Sequence, residues 1–151
     1  MSVSYIDKNL KGFTFRNVGE ATDALFKLKD GDKIGIKGPY GNGFKIKGKK
    51  ILFVGGGTGI AMLGPAVEEA KNKNVSATVV LGVKNKNELF FEKRFKELGA
   101  KTHVTTDDGS KGYKGFATDF AKDILSKERF DLIITCGPES VSYTHLRAHE
   151  T

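Results

Sequence analysis

The sequence predicts a β-rich segment, part of an antiparallel barrel, followed by an α/β domain built on a parallel sheet. Two contrasts carry this reading. Residues 1–48 hold short strand-like runs broken by turn signals, whereas residues 49–139 alternate continuous apolar runs with amphipathic helical stripes. The nineteen glycines, in turn, gather in turns, above all at one strand-to-helix junction.

In the first segment, Val3–Asp7 and Gly12–Asn17 read as two strands joined around Asn9. Ala21, Ala24, Leu25 and Leu28, spaced i, i+3, i+4, i+7, predict a short helix. Asp32–Lys37 reads as a third strand, closed by the turn-rich run from Gly38 to Phe44. Three strands and one short helix are too few for a self-sufficient sheet domain, which predicts a truncated barrel.

The second segment changes period. Ile51–Val54 reads as a short buried strand, and Ala77–Val83, Lys101–Thr106 and Asp131–Thr135 as the second, third and fourth strands. Between them, Ile60, Leu63, Val67 and Ala70 mark one helix, and Leu89, Phe90, Phe91, Phe95 and Leu98 a second. Phe116, Ala117, Phe120, Ala121 and Ile124 mark a third. Strands of this kind separated by amphipathic helices predict a parallel sheet covered on both faces, with the aromatic stripes as core.

Composition narrows the function. The 151 residues allow one ordinary domain or two small halves. A single cysteine excludes a disulfide framework and any all-cysteine metal site made by this chain alone. No apolar run approaches the ~18–20 residues that span a membrane, and the opening residues do not read as a signal peptide. The net charge of +7 comes from lysines interleaved with Asp and Glu, without a recognition helix or a basic-aromatic signature. Nucleic-acid binding is therefore not expected.

Strand 51–54 runs directly into Gly55-Gly-Gly-Thr-Gly-Ile-Ala61 and then a helix. Glycines there let the backbone approach a ligand, and a helix N-terminus offers free N–H groups to phosphate. Thr58 has a hydroxyl for the ligand or for capping the helix. The G-x-G-x-x-G spacing fails: its third glycine would fall on Ile60 or Met62. No Gly-Lys-Ser/Thr follows, which excludes a phosphate-transfer loop. Ligands of open parallel sheets sit beyond the carboxyl ends of the strands. Those ends carry Gly55–Gly59, Val83–Asn87, Thr105–Gly109 and Cys136–Glu139, so four loops are expected to converge on one rim.

These runs, with Gly38-Pro-Tyr-Gly-Asn-Gly-Phe44 and Thr106-Asp-Asp-Gly-Ser110, occur in an order that resembles the ferredoxin–NADP reductase superfamily. Within it, residues 1–139 most resemble the electron-transfer subunits of NAD-dependent dihydroorotate dehydrogenases. The resemblance implies an FAD-binding barrel at 1–48 and an incomplete NAD-binding α/β domain at 49–139. It places FAD near Ser2, Phe15, Arg16, Ala21 and Thr22, with alanine at position 21 where the family has glycine. It places NAD near Gly56, Gly57, Thr58, Gly59, Thr106, Asp107, Cys136, Gly137 and Pro138. Cys136 would position the nicotinamide without acting as acid or base. Met62 stands where the family usually has proline.

The implied activity is a flavin-dependent relay in pyrimidine biosynthesis. Electrons from dihydroorotate would pass from a separate catalytic subunit through a 2Fe–2S centre and FAD to NAD⁺, in a cytoplasmic hetero-oligomer. The family's cysteine cluster would follow Glu139, so the iron–sulfur centre is expected only in a longer protein, with no metal site here. Two alternatives stay open. One is a sulfide dehydrogenase or hydrogenase-type NAD(P)H–ferredoxin diaphorase subunit, the other a nucleotide-binding module without redox chemistry. NAD against NADP is also open: Lys84 and Lys86 suit a 2′-phosphate, while the resemblance favours NAD.

The ends read differently. Ser2–Ile6 is already β-like, so Met1 is expected to be an internal methionine. Val141–Thr151 lacks any helical or strand period and matches a translation of a sequencing-library transposon adapter. Residues 140–151 are therefore read as an artefact, including His145 and His149 at helical zinc spacing, and the chain as truncated at both ends. On its own such a piece is expected to bind FAD weakly and to be inactive.

Overall fold

The structure is a computed structural model and describes residues 2–138. The adapter-like run 140–151 and Glu139 lie outside the described residues. The polypeptide opens with an antiparallel hairpin, β1 (Ser2–Ile6) and β2 (Lys11–Thr14), followed by α1 (Glu20–Phe26). Thereafter come β3 (Lys50–Gly56), α2 (Gly59–Asn72), β4 (Ser76–Val83), α3 (Glu92–Glu97), β5 (Lys101–Thr106), β6 (Tyr113–Lys114), α4 (Ala117–Lys127) and β7 (Leu132–Cys136). The last five strands form one parallel sheet in the order β6-β5-β4-β3-β7.

The sheet is double-covered because its strands are apolar on both sides. Ile51 and Phe53 pack with Ile60, Leu63, Val67 and Phe95 from α2 and α3. The intervening Leu52 and Val54 pack with Ala117 and Ala121 of α4. Chain order runs outward from β3 through β4 and β5, then returns across the sheet to place β7 against β3. The order thus reverses between β3 and β7, which is where doubly wound sheets open a ligand crevice.

The parallel-sheet half follows the sequence reading, and the antiparallel half does so in its hairpin. Four elements need correction. Asp32–Lys37 forms no strand: alternating Ile34 and Ile36 supply the period, but no described strand pairs with them. A ladder is a property of two segments, not one. The second helix begins at Glu92 rather than Leu89, because Phe91 takes a left-handed conformation (φ 63°) that interrupts helical backbone. Phe116 is not core. It precedes α4 in extended conformation and is 55% exposed, off the stripe that Ala117 and Ala121 share. The two-residue β6 is an addition too short to show a period.

Candidate functional site

The carboxyl ends of the parallel strands open into a cleft of about 530 Å³. One wall is the β3–α2 junction, Gly56 to Thr58, together with Cys136, Gly137 and Pro138 after β7. The facing wall comes from the first segment: Thr14, Phe15, Arg16, Val18 and Thr22. Lys84, Glu88 and Asp107 contribute the remaining charges.

The glycine junction is shaped by two requirements. Gly57 is left-handed (φ 53°), and no atom stands within 4 Å of where its Cβ would be. Its backbone therefore faces open space at the helix start. Gly59 is different: a Cβ there would press on the Cys136 carbonyl and stand 2.8 Å from the Gly137 nitrogen. That close approach lets the loops after β3 and β7 share one surface. At the head of the 14-residue α2, the Thr58 side chain makes no capping bond and the first turn holds no acidic residue. The Gly57, Ile60 and Ala61 amides are bonded to backbone carbonyls. What the junction presents is therefore the uncommitted Thr58 hydroxyl at a helix start without local negative charge, a setting that suits an anion.

The loops after β4 and β5 brace each other. Asp107 and Asp108 donate their N–H groups to the Val83 and Lys84 carbonyls (both 3.2 Å), and Lys86 N donates to Ser110 Oγ (2.8 Å). The Ser110 hydroxyl and amide hold the Asp108 carboxyl below the usual carboxylate range. Asp107 and Lys84 both line the cleft rim. Arg16 Nη2 lies 3.5 Å from Glu88 Oε2 across the mouth. Cys136 Sγ meets Met62 Sδ at 3.3 Å, and burial pushes the thiol pKa up. The sulfur is therefore protonated at neutral pH.

Most residues expected at the site line this cleft, but four do not. Ser2 sits one ladder step behind the wall, opposite Thr14. Ala21 is exposed on α1, and Gly59 serves packing. Thr106 is fully buried, and its hydroxyl bonds the Lys111 amide (3.1 Å) and carbonyl (2.8 Å), closing its own loop. Thr22 reaches the cleft, yet its hydroxyl accepts from Val18 N (2.9 Å) and Gly19 N (3.0 Å). Sequence reasoning missed Glu88, Phe116 and Thr118 as lining residues. For Phe116 a signal existed, since Gly115 before it marks a break ahead of the helix.

The donor set fits a dinucleotide: a glycine cradle at a helix N-terminus for phosphate, basic Arg16 and Lys84, and apolar Phe15, Phe116 and Pro138 for rings. It does not fit an iron–sulfur centre. Cys136 is the one thiol among the described residues, and no three His, Cys, Asp or Glu side chains there converge on a metal position.

Fold and site together define a doubly wound α/β domain of the nucleotide-binding kind, with a β-hairpin forming the far wall of its cleft. The chain belongs to the oxidoreductase NAD-binding domain family, whose model matches residues 53–143. Two archaeal relatives are named probable dihydroorotate dehydrogenase B (NAD(+)), electron transfer subunit. That of Methanocaldococcus jannaschii is 45% identical over 89% of this chain and 54% of its own length. That of Methanocella arvoryzae is 45% identical over 98% of this chain and 55% of its own. The chain thus spans about half the length of these curated relatives. Among solved structures, an NADH-dependent reduced ferredoxin–NADP oxidoreductase is 36% identical with a TM-score of 0.74, over 84% of this chain and 46% of that one. The cytochrome b5 reductase domain of Ulva prolifera nitrate reductase, 19% identical with a TM-score of 0.68 over 84% of this chain and 57% of that one, shares the fold.

Proposed function

We propose that this chain is the part of an NAD-dependent dihydroorotate dehydrogenase electron-transfer subunit in which FAD meets NAD. One observation carries the reading: residues of two different folding units face each other across a single cleft at the sheet's switch point. When bound, flavin and nicotinamide supply the hydride chemistry, so the protein's work is to bind and orient. Thr58 offers its hydroxyl to the NAD pyrophosphate at the start of α2, while Gly56 and Gly57 keep the approach open, the Gly57 amide itself donating to the Gly82 carbonyl (2.9 Å). Cys136, Gly137 and Pro138 support the nicotinamide side, and the protonated thiol packs rather than titrates. Phe15 and Arg16 serve the flavin, with Thr22 holding the turn behind them. Asp107, on the cleft rim after β5, is assigned to the ribose hydroxyls, a negative charge there favouring NAD over NADP.

The electrons come from dihydroorotate through a separate catalytic subunit, in a cytoplasmic complex. Among the described residues no helix is long and apolar enough to cross a membrane. No step is assigned to an iron–sulfur centre. A second reading, a ferredoxin-linked NAD(P)H reductase subunit, is favoured by the 36% identical ferredoxin–NADP oxidoreductase.

The test uses the product of the complete reading frame, expressed with its candidate catalytic partner. The expected result is a yellow complex that reduces NAD⁺ with dihydroorotate. Reduction by reduced ferredoxin but not dihydroorotate selects the second reading. A colourless preparation that binds NADH without redox activity overturns both.

A further inference from the structure

The two walls of the cleft are tied together by an arginine that lines neither. Arg94 sits on α3 with its side chain 21% exposed. Its Nη1 donates to the Ser4 carbonyl at 2.5 Å, and its Nη2 stands 3.6 Å from Glu68 Oε2 on α2. The guanidinium also lies over the rings of Tyr5 (5.4 Å) and Phe91 (5.1 Å). Three separate elements, β1, α2 and α3, thus meet on one side chain.

The backbone is arranged around this contact. Val3 pairs with Phe13 and Tyr5 with Gly12, so Ser4 is the extra residue of a β-bulge. A bulge takes its residue out of the regular ladder, and here the Ser4 carbonyl accepts from Arg94 instead. On α2, Gly64 leaves the necessary notch: a Cβ there would stand 2.8 Å from both Arg94 Nη1 and the Ser4 oxygen. Phe91 holds its left-handed conformation next to the guanidinium it stacks on, a cost that packed surroundings must sustain.

We propose that Arg94 is a positioning residue that clamps the β1–β2 hairpin onto α2 and α3 and thereby sets the distance between the Phe15–Arg16 wall and the Gly56–Thr58 wall. The inference rests on the flavin–nicotinamide reading of the cleft. One path runs from Ser4 through the pairs Val3–Phe13 and Ser2–Thr14 to the Thr14–Val18 wall. The other runs through Glu68 along α2 to the glycine junction at its N-terminus. A further tie between the first segment and the sheet domain, Arg16 to Glu88, is a long and exposed ion pair and a weak one. Lysine is a poor replacement for Arg94, because the contact needs a planar group that donates to the Ser4 carbonyl, faces the Glu68 carboxylate and stacks on rings at once.

The experiment compares Arg94→Met, Arg94→Lys and Glu68→Gln in the product of the complete reading frame. Amide hydrogen exchange is expected to quicken about tenfold at residues 2–14 in Arg94→Met, with β3, β4 and β5 unchanged. Arg94→Lys recovers only part of this, and Glu68→Gln, milder in its effect on folding, shifts the hairpin in the same direction. NADH-driven flavin reduction slows about tenfold or more in Arg94→Met, with less than about a twofold change in NADH KM. Unchanged hairpin exchange in Arg94→Met, or in Glu68→Gln should the methionine variant not fold, overturns the clamp. So does equal quickening in the β3–β5 core, or a loosened hairpin with undiminished flavin reduction. Wild-type protein without flavin overturns the redox reading instead, while the exchange comparison still decides the clamp.

Discussion

The two halves of the molecule treat the same residue types in opposite ways. In residues 50–138, Ile51, Leu52, Phe53, Ile60 and Leu63 are fully buried. In residues 2–47, Val18 is 76% exposed, Phe26 71% and Tyr40 74%. The difference lies in where the cover comes from. β3 and β4 are each followed by a helix that covers the sheet, so β3, α2 and β4 complete a buried unit within one short stretch. The hairpin and α1 have no such neighbour among the described residues, and they hold to the sheet domain through Ile46, β1 and Arg94. Cooperative stability therefore resides in the second half, while the first supplies a wall of the cleft.

The largest expected effect tests that division directly. Phe53→Ala empties a fully buried site and should cost about 3–5 kcal/mol. Phe26→Ala, on the exposed face of α1, should stay within about 0.5 kcal/mol. Denaturant unfolding of both variants decides the point, and similar losses would erase the contrast.

A second comparison concerns the two walls. Gly57→Val places a branched side chain at a left-handed position, at a strain of about 1–2 kcal/mol, and fills the open space above the junction. The strain is common to free and bound protein and lowers stability, while the side chain in the ligand's approach should raise the dissociation constant for NADH about tenfold or more, tracked by quenching or calorimetry. Phe15→Ala on the facing wall should leave NADH affinity intact and weaken flavin retention. Loss of NADH binding in Phe15→Ala would mean that one ligand uses both walls. A smaller effect belongs to the rim. Asp107→Asn removes the rim carboxylate proposed to meet the ribose, so the NADH-to-NADPH preference in kcat/KM should fall about tenfold. An unchanged preference would move sugar recognition elsewhere, with Lys84 the next residue to vary.

The same division explains what could be read from the sequence. The runs at 51–54, 77–83, 101–106 and 131–135 lie within a few residues of the observed strands. For 51–54 and 77–83 a strand buried on both faces needs only a continuous apolar run, whereas Lys101–Thr106 holds one apolar residue, Val104, and is buried only at its carboxyl end. The glycine junction was legible because a left-handed residue and a close loop contact both select glycine. Ile34 and Ile36 show where this ends: alternation describes one segment, and pairing requires another. Thr105 and Thr106 are adjacent and point to opposite faces, so nothing local reveals that the Thr106 hydroxyl is spent on Lys111. Arg94 was invisible for the same reason. Its acceptor is a backbone carbonyl ninety residues away, and every residue has one.

The smallest expected effect is a pH dependence confined to the sheet domain. His103 on β5 lies on the α4 side, with its ring 5.2 Å from that of Phe120. Burial, reinforced by nearby Lys101 and only partly opposed by Glu128, holds its pKa below the ordinary histidine value. The unfolded chain therefore takes up a proton at a higher pH than the folded one, and stability rises with pH wherever the unfolded state binds more protons. Stability should be greatest above the ordinary histidine value of about 6.5 and decline as pH falls through it. The decline precedes the acid range in which Glu92, Asp108, Glu128 and Asp131, all shifted downward, lose their own contributions. His103→Gln should flatten the denaturation midpoint between about pH 5 and 7 and leave exchange in the hairpin unchanged at every pH. A midpoint that still falls in the glutamine variant would assign the decline to another group. A hairpin that loosens together with the sheet would show that the two halves unfold as one unit, and the contrast between them would then be one of surface cover rather than of stability.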